Sequence, residues 1–151
     1  MEQLWTILIA ATPIFELRGA IPIALTVYDL GVVETYILAV IGNLLPIIII
    51  LKYLVPVSKW LSENFKLFKK FFDWLFARTR RKSSKSYKRF GALALIIFVA
   101  IPLPITGAWT GAAAAFVFGI PYLKSLSLIT IGVLISGLIV TLSTIGVITL
   151  F

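Results

Sequence analysis

Residues 90–123 read FGALALIIFVAIPLPITGAWTGAAAAFVFGIPYL, 34 positions without one charge. A straight helix of that length is about 51 Å long, against a bilayer core of about 30 Å. Pro102, Pro104 and Gly107 interrupt the stretch near its midpoint at Thr106-Gly107. Proline removes a backbone donor and breaks a helix. The stretch therefore predicts a helical hairpin that enters and leaves the membrane on one face with its tip inside. Arg89 and Lys124 anchor its two ends.

The N-terminal stretch has the same design. Gln3 to Tyr28 is apolar except at its centre, Thr12-Pro13-Ile14-Phe15-Glu16-Leu17-Arg18-Gly19-Ala20-Ile21-Pro22. Charges at mid-depth flanked by Pro13 and Pro22 predict a second broken hairpin. Irregular backbone at that depth is tolerated only where protein buries it or it lines water. Between and after the hairpins lie two ordinary spans. Val32–Val57 carries Asn43 and a kink expected at Pro46. Ser125–Phe151 is uncharged and bears Gly132, Ser136, Gly137, Thr141 and Thr144, small residues that let helices approach closely.

Composition agrees. Hydrophobic types make up 60% of 151 residues, charged types 13%, and mean hydropathy is +1.07. That excludes a soluble domain and a disordered chain. There is no cysteine and no histidine. Disulfides, thiolate nucleophiles and imidazole chemistry are excluded, and no metal or cofactor is expected. The first residues, Met1-Glu2-Gln3, lack the basic run of a cleaved signal peptide.

The net charge of +8 is concentrated centrally. Lys52–Arg89 holds 12 basic and 2 acidic residues. A basic stretch flanking spans stays cytoplasmic, which argues for a membrane role and against nucleic acid. Ser58–Ala77 reads as an amphipathic helix. Leu61, Phe65, Phe68, Phe72 and Leu75 recur on one face and Lys59, Glu63, Lys66, Lys70 and Asp73 on the other. Such a helix lies in the inner interface, aromatics among acyl chains and lysines on anionic headgroups.

The halves resemble each other. Gly19-Ala20 precedes Gly31 as Gly107-Ala108 precedes Gly119, and Tyr28–Val32 matches Phe116–Ile120 in pattern. The expected fold is an all-α integral membrane domain over residues 1–151. Its parts are a re-entrant hairpin from outside (1–31), a transmembrane helix (32–57) and an amphipathic helix with a basic cytoplasmic loop (58–89). A re-entrant hairpin from inside (90–123) and a second transmembrane helix (124–151) follow. That is an inverted repeat, a layout used by secondary transporters. Both termini are expected outside the cell membrane.

Glu16 and Arg18 are the ionisable residues expected at mid-depth, where each costs about 2.5–3.5 kcal/mol. The second tip, Pro102-Leu103-Pro104-Ile105-Thr106-Gly107-Ala108-Trp109-Thr110-Gly111, is uncharged. It is expected to restart as a helix near Ala108 with Thr106 as N-cap, and the first near Gly19-Ala20. Two half-helix N-termini with Arg18 make an anion site, to which Thr106, Thr110 and the Trp109 indole donate. Glu16 accepts a proton there or holds Arg18. A purely structural Glu16–Arg18 pair pinning the tips together is the competing reading.

At these two motifs the chain resembles the small multidrug export protein family, which looks like a distant branch of the DedA/VTT membrane protein superfamily. The resemblance implies paired re-entrant hairpins and roles in lipid-phosphate carrier recycling, lipid scrambling or proton-coupled export. DedA-type members are expected to carry an acidic residue in the first hairpin and arginines in the second. Here Glu16 and Arg18 share the first, so those arginines have no counterpart at the second tip.

The leading expectation is a transporter or flippase for an anionic small molecule or lipid phosphate, proton-coupled through Glu16. The alternatives are a proton-driven exporter of small drugs and a non-transporting scaffold acting on membrane lipids. An enzyme is not expected, since the chain offers neither a Ser/His pair nor a metal cluster. Four membrane elements give little protein around polar tips, so a homo-dimer or higher homo-oligomer is expected.

Overall fold

A computed structural model describes residues 1–81, 85–103 and 106–150. All regular structure among them is helical: α1 (Glu2–Ala11), α2 (Glu16–Thr26), α3 (Val32–Asn64), α4 (Lys66–Arg81), α5 (Lys85–Ala100), α6 (Ala108–Val117) and α7 (Tyr122–Leu150). Two of these, α3 and α7, are long and apolar enough to cross a membrane. At 1.5 Å per residue α1, α2 and α6 are only about 15–17 Å long. They pair with a neighbour across a break, α1 with α2 and α5 with α6.

The first pair is placed by α3. Gln3 Nε2 donates to Glu34 Oε1 at 2.6 Å where both helices begin. Further along, Ala10 packs at Gly42, where a Cβ would come within 2.5 Å of the Ile7 carbonyl and 2.9 Å of Ala10 Cβ. Thus α1 runs parallel to α3, and the break at Thr12–Phe15 lies about 15 Å along it. The second pair repeats the device on α7. A Cβ at Gly132 would meet Val99 Cβ at 2.6 Å and the Ile96 carbonyl at 3.0 Å.

The correspondence extends through the core. Buried Thr35, Ala39, Gly42, Asn43, Ile47 and Leu51 of α3 match buried Ser125, Ile129, Gly132, Val133, Gly137 and Thr141 of α7 at one constant spacing. In the same way Leu17, Ala20, Ile21 and Ala24 of α2 match Ala108, Gly111, Ala112 and Ala115 of α6. The backbone agrees, with left-handed φ at Asp29 (52°) and Gly119 (64°). At these offsets Gly107 aligns with Glu16 and Gly119 with Asp29, whereas the glycine spacing aligns them with Gly19 and Gly31.

Two boundaries also move. α3 continues through Pro46 and Pro56 to Asn64, seven residues past the expected end of the span. Proline's fixed φ suits a helix, and the loss is one hydrogen bond per ring. The Ser58, Ser62 and Asn64 side chains bond carbonyls of the same helix at 2.8 Å. The amphipathic helix therefore does not start at Ser58. The break is at Phe65, extended at φ −132° and ψ 116°, and its ring packs edge-on to Trp60 and Phe68. The small residues Gly132, Ser136, Gly137 and Thr141 are buried inside the chain, Gly132 against Val99 and Gly137 against the Tyr36 ring.

Candidate functional site

The first tip is a bend built by Thr12. Its Oγ1 donates to the Ile9 carbonyl at 2.7 Å and accepts from the Phe15 N–H at 3.3 Å, while Glu16 N–H closes on Thr12 O at 3.0 Å. Pro13 lies within this bend. α2 then starts at Glu16, three residues earlier than Gly19, and passes through Pro22, which does not break it. Glu16 begins with φ +48°, a conformation that costs a residue with a side chain about 1–3 kcal/mol.

The second tip follows Ala100. Leu103 N–H bonds Ile101 O at 2.9 Å, and the Thr106 hydroxyl donates to Ile101 O at 2.5 Å and accepts from Leu103 N–H at 3.2 Å. Pro102 is in this turn; Pro104 lies outside the described residues. Thr106 therefore ties the turn and is not the cap of α6. Gly107 occupies the N-cap position with φ 150° and offers no side chain to cap with.

The cap comes from the other tip. The Glu16 carboxylate, 3% exposed, accepts the Trp109 N–H at 3.4 Å and faces the Ala108 N–H. Any Cβ at Gly107 would overlap that carboxylate, so only glycine lets the tips close to this distance. A helix N-terminus presents unpaired N–H groups and partial positive charge, and a carboxylate satisfies both. Arg18 completes the group, its Nη2 3.5 Å from Glu16 Oε2. The α6 N-terminus expected as an external anion site is thus filled by the protein's own anion.

Two donors are left over. Arg18 Nη1 and Trp109 Nε1 are buried without a hydrogen-bond partner among the described residues. Arg18 also lines an open groove of about 260 Å³ with Ile14, Phe15, Gly19 and Pro102. Gly19 lies directly under Phe15, whose ring a Cβ there would strike at 2.9 Å. Of the residues singled out in the sequence, Glu16, Arg18, Gly107 and Trp109 converge on one contact and Gly19 borders it. Thr110 is exposed and returns its hydroxyl to Gly107 O at 3.2 Å. Thr35 Oγ1, Thr141 Oγ1 and Asn43 Oδ1 are also buried without partners among the described residues. Only Asn43 stands out in the sequence as a polar residue in an apolar run, because hydroxyls on span helices ordinarily bond back to their own helix.

A family model described as "Putative small multi-drug export protein" matches residues 16–139. The chain belongs to that family. Its matched region begins at Glu16, just past the first bend, and ends inside α7, so it contains the second tip and the residues of the Glu16–Arg18–Trp109 contact. No curated protein and no solved structure matches the chain. The export family and the two spanning-length helices make this a membrane protein of transport type.

Proposed function

We propose that the chain transports an anionic substrate, a small organic anion or a lipid phosphate, and that Glu16 holds the substrate's place when the site is empty. The observation that carries this is the Glu16 carboxylate on the α6 N-terminus and on Arg18, with Arg18 Nη1 and Trp109 Nε1 still unpaired among the described residues. A substrate anion bearing several oxygens matches this set of donors better than one carboxylate does. Protonation of Glu16 removes the charge that holds them, so proton uptake and anion binding are linked through a single exchange. Arg18 keeps its charge in any environment, which makes it the fixed element of the pair.

In this reading the two helix pairs are re-entrant hairpins of an inverted repeat. The first pair turns back about a third of the way along α3, and Glu16 at its bend meets the α6 N-terminus of the second. The basic stretch around α4 argues for that side in the cytoplasm and both termini outside, in the cell membrane. The groove at Arg18 is open, and a second copy of the chain is the partner we expect to cover it. Paired re-entrant hairpins are also what kinship with the DedA/VTT superfamily implies.

The family description favours a second reading, proton-driven export of small cationic drugs with Glu16 as their counter-ion. Arg18 at 3.5 Å works against a cation there. Proteoliposomes separate the two. Under an imposed pH gradient, the anionic dye calcein and the cationic dye ethidium are followed for wild type, Arg18→Lys and Glu16→Gln. The anion reading expects calcein movement that Arg18→Lys weakens and that loses its pH dependence in Glu16→Gln. Ethidium movement without calcein movement favours the drug exporter. Wild-type behaviour in both variants means the pair is structural.

A further inference from the structure

α4 stands apart from the tips, and its surface has a different chemistry. Leu67, Phe71 and Trp74 are 79%, 53% and 56% exposed and, with Phe68 and Lys70, line an apolar cavity of about 540 Å³. At 100° per residue Leu67, Phe71 and Trp74 form one stripe. Lys66, Lys69 and Lys70 are exposed on the adjoining arc, and the acid on that arc is Asp73. The other side of the helix faces the protein. Phe72 packs edge-on against Phe116 near the end of α6, with ring centroids 6.1 Å apart.

We propose that α4 docks on an anionic phospholipid leaflet, with Leu67 and Phe71 among the acyl chains and Lys66, Lys69 and Lys70 on the headgroups. Two features select this occupant. First, an apolar stripe bordered by lysines fits the boundary between acyl chains and negative headgroups. Lys70 itself lines the apolar cavity, and a lysine stem can cover apolar surface while its charged end stays with polar groups. Second, the region is strongly charged, with 12 basic against 2 acidic residues over Lys52–Arg89. A second copy of the same basic face is repelled, whereas a negative leaflet is attracted. The seating also reaches the transport elements. A docked α4 holds the C-terminal end of α6 through Phe72–Phe116, while Glu16 holds its N-terminal end.

The chain has no cysteine, so single cysteines can be placed and spin-labelled in the full-length protein. Leu67→Cys and Lys69→Cys are reconstituted in phosphatidylglycerol and in phosphatidylcholine vesicles. Accessibility to oxygen and to a nickel chelate then reports depth. In phosphatidylglycerol the Leu67→Cys label is expected to favour oxygen and the Lys69→Cys label nickel. Phosphatidylcholine, or the triple change Lys66→Gln, Lys69→Gln and Lys70→Gln, lowers the oxygen preference at Leu67→Cys several-fold. A label at Leu142, exposed on α7, is expected to be unchanged throughout and reports that the fold is intact. Nickel preference at Leu67→Cys in both lipids overturns the docking. Shielding of that label from both reagents assigns the stripe to a protein partner or a second copy and overturns it too. Equal depth in both lipids, unaffected by the glutamines, overturns recognition of negative charge.

Discussion

Glu16 combines three features that rarely coincide: burial, left-handed φ and a charge. Each is unfavourable alone, and together they are held by the α6 N–H groups, Arg18 and the absence of a side chain at Gly107. Gly107→Ala is therefore expected to destabilise the fold by about 2 kcal/mol or more, since it adds both an overlap and a strained φ. Thr110→Ala, one turn later and exposed, is expected to change stability by less than about 0.5 kcal/mol. Unfolding titrations in mixed micelles compare the two. Glu16→Ala is expected to cost about 1–3 kcal/mol by orphaning the buried donors. Glu16→Gln keeps an acceptor and costs less. Glu16, Arg18 and Trp109 were legible as a group because charges and proline breaks stand out in apolar runs. The hydrogen bond joining Glu16 to Trp109 spans 93 residues of sequence, and no local pattern encodes it.

At the scale of helices, close packing rests on matched glycines. Gly42→Ala and Gly132→Ala each drive a Cβ into backbone or a branched side chain, and each is expected to destabilise by about 1–3 kcal/mol. Gly146 also lies in α7, but no neighbouring atom stands within 4 Å of where its Cβ would be. Gly146→Ala is expected to be neutral or stabilising by up to about 1 kcal/mol, through helix propensity alone. Thermal unfolding of the three variants in one detergent decides. The two breaks in the hairpins and both spans were legible from proline, charge and hydropathy. The extension of α3 to Asn64 was not, because the charged and apolar alternation that begins at Ser58 reads as a separate interfacial helix although the backbone continues unbroken. The break at Phe65 has neither glycine nor proline to announce it and is stabilised by ring contacts with Trp60 and Phe68.

For the whole molecule, the charge asymmetry sets the expected orientation. Cysteines at Lys69 and at Leu150, which is exposed near the C-terminus, are expected to label from opposite sides of intact cells with a membrane-impermeant maleimide. Labelling of both from one side contradicts the proposed topology. Native mass spectrometry from lipid nanodiscs is expected to show a dimer or larger. The small residues of α7 do not supply that interface, being buried within the chain. A monomer as the sole species in lipid leaves the Arg18 groove open and removes the argument for a second copy. Glu16 and Gly107 are counterparts, and they touch each other. Two glutamates there would collide and two glycines would leave both helix ends uncapped, so this junction tolerates only an unlike pair.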